Sequence, residues 1–334
     1  MGYQLTKQEA EKMFHQWMAQ YDIFAPKLME GEGCFSDTDI IRYGTVGSLD
    51  EIIWDEKSDY SFKEALLPIN ETLFYFTEDE TKVPKEPDKD RLIFLRACDL
   101  CAVKRLDEIY LKNGFEDFYY ARLRTRTKFI LMGCAVTCKS GFCVSMGSNR
   151  ADTYDAYLKV DGDKVWADIK CGELENFIEG GVLCEVMPDY VTENEEKVTL
   201  PKNLSNKSFA NEIWKEYGGR CIGCGRCNFV CPTCTCFTMQ DIFYKDNEKV
   251  GERRRVWASC QVDGYTDMAG GHSFRTNQAD RMRFKVMHKI YDFEKRFGYP
   301  MCVGCGRCDD VCPEYISYAN CVNRLAKEEA EHEK

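Results

Sequence analysis

The N-terminal part of the chain alternates apolar and polar positions in patterns typical of both helices and strands. Thr6-Lys7-Gln8-Glu9 is a capping box, in which the Thr and Glu side chains satisfy free backbone N–H groups at the start of a helix. The residues after it place an apolar stripe at helical spacing: Ala10, Met13, Phe14, Trp17, Met18 and Tyr21. We therefore predict an amphipathic helix directly after this box.

Further along, short apolar runs predict buried β-strands at Thr72–Phe76, Arg91–Leu95 and Lys128–Met132. Leu100–Leu111, between the last two runs, has its apolar residues on one helical face. Such a strand–helix–strand unit is almost always parallel and right-handed. The segment Tyr157–Asp168 has the pattern of a β-hairpin with a tight turn at its centre. The N-terminal part is therefore predicted to be mixed α/β.

A polar stretch from about residue 193 to 206, which contains Pro201, is the predicted linker. A short predicted helix follows it, with an apolar face formed by Phe209, Ile213, Trp214 and Tyr217. The cysteine-rich part of the chain begins directly after this helix. We therefore divide the chain into domains 1–205 and 206–334.

Composition then narrows the class of protein. The chain has 334 residues and a net charge of −11, and its hydrophobic (44%) and charged (30%) fractions are those of ordinary globular proteins. The acidic balance argues against a nucleic-acid partner, which requires a broad basic surface. No apolar run approaches the roughly 20 residues of a membrane-spanning helix, and the N-terminus lacks the apolar core of a secretory signal. We expect a cytoplasmic protein with neither a membrane nor a nucleic-acid partner.

Cysteine is the exception to this ordinary composition, because the chain contains 20 cysteines but only 4 histidines. The cytoplasm keeps thiols reduced, which excludes a disulfide scaffold. Metal binding and catalysis remain as explanations. Thiolate ligands select zinc, copper(I) or iron–sulfur clusters.

One cysteine pattern occurs twice. Cys221–Pro232 and Cys302–Pro313 both follow C-x2-C-x2-C-x3-C-P, the run of bacterial ferredoxins. Three closely spaced cysteines hold one face of a [4Fe–4S] cluster, and in two-cluster proteins the fourth cysteine completes the other cluster. The spacing therefore predicts crossed ligation. The first cluster is expected on Cys221, Cys224, Cys227 and Cys312, and the second on Cys302, Cys305, Cys308 and Cys231.

Zinc sites are the alternative, because they also use C-x2-C pairs. They use two pairs, however, and not a duplicated run of three cysteines followed by a fourth cysteine and a proline. A long segment separates the two runs in this chain. The predicted fold class is α+β, with an N-terminal mixed α/β domain followed by a mostly helical dicluster ferredoxin-like domain that carries a long insertion.

A third group of cysteines follows the two predicted parallel strands. Cys98 and Cys101 come after the first strand, and Cys134, Cys138 and Cys143 after the second. Carboxyl ends of neighbouring parallel strands lie on the same edge of a sheet, where open α/β sheets place their ligands. We predict a third [4Fe–4S] cluster on Cys98, Cys134, Cys138 and Cys143, with Cys101 as the alternative to Cys98. The competing interpretation is that all five are small buried apolar residues.

Other chemistry-bearing residues have weaker patterns. Three cysteines near the first run could ligate metal, but we favour a packing role for them: Cys234, Cys236 and Cys260. The isolated cysteines are expected to be structural: Cys34, Cys171, Cys184 and Cys321. The arginines of the insertion could dock an acidic partner or raise a cluster potential. We expect instead a solvated or salt-bridged face for Arg253, Arg254, Arg255, Arg275, Arg281 and Arg283.

The chain contains no phosphate-binding loop and no G-x-G-x-x-G after a strand. Cluster ligands without a flavin, nucleotide or substrate motif predict an electron-transfer subunit that depends on partners.

Several segments, in the same order along the chain, resemble the iron–sulfur subunit of anaerobic sulfite reductase. The same segments resemble the iron–sulfur β subunit of cytoplasmic sulfhydrogenases, which is a close relative of that subunit. They are Arg96–Asp99, Gly133–Cys143, Cys231–Cys236, Trp257–Cys260, Ala269–Arg275, His288-Lys289 and the second ferredoxin run. The first resemblance implies an NADH-linked oxidoreductase. Its flavin subunit would pass electrons through this chain to a sirohaem subunit that reduces sulfite to sulfide. The second implies the same electron-transfer role in a hydrogenase.

Overall fold

The structure is a computed structural model that describes residues 2–33 and 37–331. Within these ranges the chain forms fourteen β-strands. They are β1 Gly2–Thr6, β2 Tyr21–Met29, β3 Ile40–Thr45, β4 Asn70–Phe76, β5 Thr81–Lys82, β6 Asp90–Leu95, β7 Thr127–Met132, β8 Ala156–Asp161, β9 Lys164–Ile169, β10 Val182–Cys184, β11 Phe237–Tyr244, β12 Asn247–Trp257, β13 Asp267–Met268 and β14 His272–Ser273.

The helices of the same ranges are short in the ferredoxin part and longer elsewhere. They are α1 Lys7–Gln20, α2 Lys63–Leu66, α3 Ala97–Leu111, α4 Phe118–Thr125, α5 Gly172–Glu175, α6 Ile213–Arg220, α7 Arg226–Phe229, α8 Gln278–Met287, α9 Phe293–Phe297, α10 Arg307–Asp310 and α11 Tyr318–Glu331. A π-helical segment, His288–Asp292, joins α8 to α9. The fold is α+β, as the sequence predicted.

An eight-stranded sheet forms the N-terminal part, in the order β10-β1-β9-β8-β7-β6-β2-β3. Its central strands β2, β6, β7 and β8 are parallel, and the flanking strands pair antiparallel. The predicted strand–helix–strand unit is therefore confirmed as β6-α3-β7, and the predicted hairpin as β8-β9. Helix α3 begins at Ala97, three residues earlier than expected, so Cys98 lies in its first turn.

The predicted amphipathic helix is α1. Thr6 caps it, accepting a hydrogen bond from the Glu9 backbone N–H, and Glu9 completes the capping box. Its stripe, including Phe14 and Trp17, is buried on one face of the large sheet, except that Met18 is only partly buried. Helices α3 and α4 cover the other face, so both sides of the parallel strands are removed from water.

A second, four-stranded sheet joins strands from the N-terminal part of the chain to strands from the ferredoxin part. Its order is β11-β12-β4-β5, and β12 pairs antiparallel with β4 from Val256↔Asn70 to Gly251↔Phe76. The sequence predicted β4 but not the β11-β12 hairpin, which forms the first half of the long insertion. The division into domains 1–205 and 206–334 stays a prediction.

In the part of the chain that the structure describes, none of the helices has both the length and the apolar character needed to cross a membrane.

Candidate iron–sulfur centres

The first predicted ligand set surrounds one cavity. Cys221, Cys224, Cys227 and Cys312 all line a space of about 500 Å³. Three of these thiols come from the first ferredoxin run, and the fourth comes from the end of the second run. The structure therefore brings together the four residues that the crossed pattern predicted.

The second predicted set surrounds another cavity, of about 350 Å³. Cys302, Cys305 and Cys308 line it together with Cys231, the last cysteine of the first run. Both fourth cysteines thus lie on the side of the opposite run. Ligation of a cluster by either set stays a prediction, and the crossed placement of the thiols is its structural support.

The two cavities are neighbours. Cys227, Cys308, Lys285 and Tyr318 contribute to the walls of both. Clusters bound in the two spaces would therefore be separated by little more than single side chains, which is the arrangement of an electron-transfer pair.

Glycines give both runs the same backbone path. Gly225 (φ 75°) and Gly306 (φ 73°) adopt the left-handed conformation directly before the short helices α7 and α10. The chain also directs N–H groups at sulfur: Gly304 N–H lies 3.4 Å from Cys302 Sγ, and Ile316 N–H lies 3.3 Å from Cys312 Sγ. Such hydrogen bonds are one of the ways by which proteins set cluster potentials.

Two buried lysines lie between the thiols. Lys289 Nζ is 3.3 Å from Cys231 Sγ and donates a hydrogen bond to Thr233 Oγ1 at 2.8 Å. Burial alone would lower the pKa of Lys289, but the charges of Cys231 and Cys234 outweigh it and raise the pKa. Lys285 has a raised pKa as well, for which Cys227 and Cys308 are the main positive causes. Lys289 is part of the His288-Lys289 segment of the family resemblance, but sequence reasoning assigned a role to neither lysine, because lysine is almost never fully buried unless it is paired.

The chemistry of these cavities fits an iron–sulfur cluster. Burial raises the pKa of Cys302 to about 12 and raises that of Cys308 well above its usual value, so thiolates there need compensating positive charge. Iron and the two lysines would supply that charge. Among residues 2–33 and 37–331, no three His, Cys, Asp or Glu side chains converge on a point that could hold a single metal ion. The thiols of the two ferredoxin sets line two volumes.

The third predicted set also gathers in one place. Cys134 and Cys138 both act electrostatically on the Cys143 thiol, and burial raises the pKa of that thiol to about 11. Cys98 is influenced by Cys143 and by Cys305. Cys101 lies apart, and its thiol donates a hydrogen bond to the Arg150 carbonyl at 3.3 Å.

Neighbouring polar groups already contact these thiols. Arg96 Nη1 lies 3.5 Å from Cys134 Sγ, and the Asn194 side chain lies 3.7 Å from Cys143 Sγ. Of the five thiols that the sequence directed to this sheet edge, Cys134, Cys138 and Cys143 thus influence one another, and Cys98 lies near both Cys143 and Cys305 of the second set. The third cluster itself stays a prediction.

The third set lies directly against the second cavity. Phe142, next to Cys143, lines that cavity, and its N–H donates to the Gly304 carbonyl at 2.7 Å. A Cβ on Gly304 would lie 2.6 Å from the Phe142 carbonyl carbon, so only glycine permits this close packing. A buried ion pair adds to the contact, in which Arg307 binds Asp99 through both oxygens at 2.8 and 3.1 Å.

The remaining cysteines divide into two kinds. Cys234, Cys236 and Cys260, which we expected to pack, together line a third cavity of about 910 Å³. Cys321 is fully buried in the core of the ferredoxin part, and Cys171 packs partly buried against the N-terminal core. Cys184 ends β10, and Cys34 lies outside the described residues.

Most arginines of the insertion form the salt-bridged face that we expected. Arg253, Arg254, Arg255, Arg281 and Arg283 are paired with Asp241, Glu252, Glu71, Asp263 and Asp280, respectively.

Comparison with known proteins defines the class of this chain. The 4Fe-4S dicluster domain family matches residues 220–316, the segment that holds both ferredoxin runs. This is an iron–sulfur protein of the [4Fe–4S] type. Over 303 residues it is 29% identical to the sulfhydrogenase 2 subunit beta of Pyrococcus furiosus, a match that covers 85% of this chain and 88% of that protein. No solved structure matches it.

The comparison bears on the two resemblances drawn from the sequence. It supports the likeness to sulfhydrogenase β subunits across most of the chain. It does not add support for the sulfite reductase family. An iron–sulfur electron-transfer subunit is the role common to both.

Proposed function

We propose that this chain is the electron-transfer subunit of a cytoplasmic, multisubunit oxidoreductase, and that it carries electrons along a line of three [4Fe–4S] clusters. The observation that carries the proposal is the crossed placement of eight ferredoxin thiols around two adjacent cavities, with a third group of four thiols against the second cavity. Electrons move by short steps along such a line, and the protein supplies position and charge.

Both ends of this line approach the surface. Cys224, in the first set, is exposed, and the neighbouring Ile222 is 60% exposed. At the opposite end, Val136 lies between Cys134 and Cys138 and is 77% exposed. The middle set has no such exposed neighbour, since Val303 is 2% exposed. One end would therefore receive electrons from a flavin- and NADH-binding subunit, and the other would deliver them to the reaction centre.

Iron analysis tests the number of clusters. Anaerobically purified chain should contain about 12 iron atoms, and Cys138→Ala should reduce this to about 8. Cys101→Ala is the matched control, because Cys101 lies in the same region but its thiol is bonded to the Arg150 carbonyl. An iron content of about 8 in the unaltered chain would leave the N-terminal thiols without a cluster.

The favoured assembly is a sulfhydrogenase-type enzyme, because the relative with 29% identity is a sulfhydrogenase β subunit. The second candidate is an anaerobic sulfite reductase, which the ordered motifs of the sequence support. The electron-transfer role is the same in both assemblies. They differ in the partner that receives the electrons, which is a nickel-containing hydrogenase subunit in one and a sirohaem subunit in the other.

Purification of the native complex distinguishes the two assemblies. A nickel-containing partner with hydrogen-dependent dye reduction supports the first, and a partner with the absorption spectrum of sirohaem and sulfite-dependent NADH oxidation supports the second. The isolated chain should catalyse neither reaction, although an artificial donor should reduce its clusters. Sulfide formation from sulfite by the chain alone would contradict the electron-transfer role.

A further inference from the structure

A large cavity lies beside the second thiol set and contains thiols that the proposed clusters do not use. Its volume is about 910 Å³, and Cys234, Cys236 and Cys260 are in its wall. Lys285 and Lys289 line this cavity and also the cavity of the second set. The space is therefore separated from the proposed second cluster by a wall of single side chains.

Cys236 and Cys260 form a pair within this wall. Cys236 precedes β11 and Cys260 follows β12, and the Ala258 N–H donates to the Cys236 carbonyl at 2.9 Å, which closes the end of the hairpin. The side chains of Cys236 and Cys260 are close enough to interact through a hydrogen bond. Asn228 in turn holds Cys260 Sγ at 3.0 Å.

The two thiols are chemically unequal. The hydrogen bond with Cys260, together with one from Tyr265, lowers the pKa of Cys236 to about 6, while the same contact raises the pKa of Cys260. Cys236 is thus the more acidic thiol of the pair and Cys260 the less acidic one. This is the state of nucleophilic and resolving cysteines in thiol–disulfide exchange.

The cavity also offers a cation to a ligand. Arg275 lies over the Phe284 ring at 3.5 Å and, within the described ranges, has no carboxylate partner, in contrast to the five arginines whose salt bridges are given above. Burial lowers the pKa of His288 to about 4, so this histidine is neutral. An anionic ligand in this cavity therefore meets the positive charges of Arg275, Lys285 and Lys289.

We propose that Cys236 and Cys260 are a redox-active dithiol that reduces a small anionic organic disulfide with electrons from the adjacent [4Fe–4S] cluster. This inference rests on the proposed electron-transfer function. It adds to that function a two-electron reaction within this chain, at a site separate from the partner that completes the main electron path.

The reaction balances in three steps. The Cys236 thiolate attacks one sulfur of the disulfide, forms a mixed disulfide and releases one thiolate, which takes the proton of Cys260. The resulting Cys260 thiolate attacks the Cys236 sulfur, forms the Cys236–Cys260 disulfide and releases the second thiolate. Two electrons, delivered one at a time by reduced clusters, and one proton then restore the Cys236 thiolate and the Cys260 thiol.

Cluster reoxidation in the full-length, iron-loaded chain tests the proposal. The clusters are reduced anaerobically by a photochemical one-electron donor, and oxidised glutathione is then added as the anionic disulfide. Each molecule should remove two electrons, seen as loss of the paramagnetic signal of reduced clusters, and yield two molecules of glutathione. Cys236→Ser should slow cluster reoxidation at least 100-fold, and Arg275→Gln should slow it at least 10-fold. Cys171→Ser is the control and should have no effect on this rate, because Cys171 is a partly buried cysteine at the N-terminal core.

A second measurement follows the dithiol itself. Peptide mapping after acid quench should find the Cys236–Cys260 disulfide in protein treated with oxidised glutathione before reduction, and should lose it when the clusters are reduced. An unchanged reoxidation rate in Cys236→Ser would overturn the inference. Loss of iron in both Cys236→Ser and Cys260→Ser would overturn it too, because the thiols would then be metal ligands. If the clusters can be reduced but oxidised glutathione does not reoxidise them, this inference is wrong and the proposed function stands. If the chain contains no iron, the proposed function itself is wrong.

Discussion

The two ferredoxin runs have the same local sequence pattern but opposite surroundings. In the first run, Ile222 is 60% exposed and Arg226 lies at the surface. At the equivalent positions of the second run, Val303 is 2% and Arg307 is 1% exposed. Both runs nevertheless follow the same backbone path through a left-handed glycine into a four-residue helix. The motif thus determines the local turn, whereas the rest of the chain determines whether a cluster lies at the surface or inside.

The crossed cysteines give the largest expected effect in this comparison. Cys231 belongs to the exposed run but lines the cavity of the buried one. Cys231→Ala should therefore abolish or alter the paramagnetic signal of the buried cluster, as Cys305→Ala should. A spectrum that instead matches Cys224→Ala would mean that each run holds its own cluster.

The arginine pair gives a large difference in stability. Arg307→Ala leaves Asp99 buried without a partner, which should destabilise the protein by about 3–5 kcal/mol. Arg226→Ala, the matched change at the surface, should have little effect on unfolding. Anaerobic thermal unfolding of the iron-loaded proteins measures both. Equal melting temperatures for the two variants would show that burial of the second run does not depend on the ion pair.

A smaller effect is expected on reduction potential. Lys289 is a buried cation 3.3 Å from Cys231 Sγ, and it stabilises the extra negative charge of a reduced cluster. Lys289→Met should lower the potential of the second cluster by roughly 60 mV, the equivalent of a tenfold change in a one-electron equilibrium. Lys295→Met, in α9 of the same helical run, is the control. Redox titration followed by paramagnetic resonance would detect the shift, and unchanged potentials would exclude charge tuning by this lysine.

The smallest effect concerns the exposed run. If its surface is a docking site, Ile222→Asn should weaken electron transfer with a partner protein by about 3- to 10-fold, because an exposed apolar anchor is lost. Stability and cluster content should remain those of the unaltered chain. Val136→Asn at the other end provides the comparison, and stopped-flow reduction of the complex measures both. An identical rate for Ile222→Asn would place the contact elsewhere.

Sequence patterns predicted those helices, strands and thiol groups that depend on local or repeated signals. The capping box located α1, the periodicity located β6, α3 and β7, and the duplicated run indicated which thiols gather around each cavity. The edge rule for parallel strands grouped Cys98 with Cys134, Cys138 and Cys143. Each of these follows from a short segment or from a rule of chain connection.

Long-range features were missed for a physical reason. Strand β11 is almost entirely exposed although it carries large apolar side chains such as Phe237 and Phe243, so its pattern does not indicate a buried strand. The pairing of the hairpin with β4 depends on contacts across about 180 residues, as between Thr72 and Glu252. Lys285 and Lys289 lie on a helical run that looks like an ordinary basic segment. Their burial is stabilised by thiols from both ferredoxin runs, including Cys231, which lies 58 residues before Lys289 along the chain and contacts it.

The sharing of cysteines between the two cavities also has a consequence for synthesis of the protein. Each set of four thiols combines three cysteines of one run with one cysteine of the other. Neither set is therefore complete until the ribosome has translated most of the second run. The first set is complete only after Cys312 has been added. At about 5–20 residues per second, the roughly 80 residues between Cys231 and Cys312 take several seconds to make. During that time the first run carries three cysteines of one cluster and the lone fourth cysteine of another. If each set of thiols binds one cluster, stable loading of both clusters follows translation of nearly the whole chain, and the two are expected to mature together.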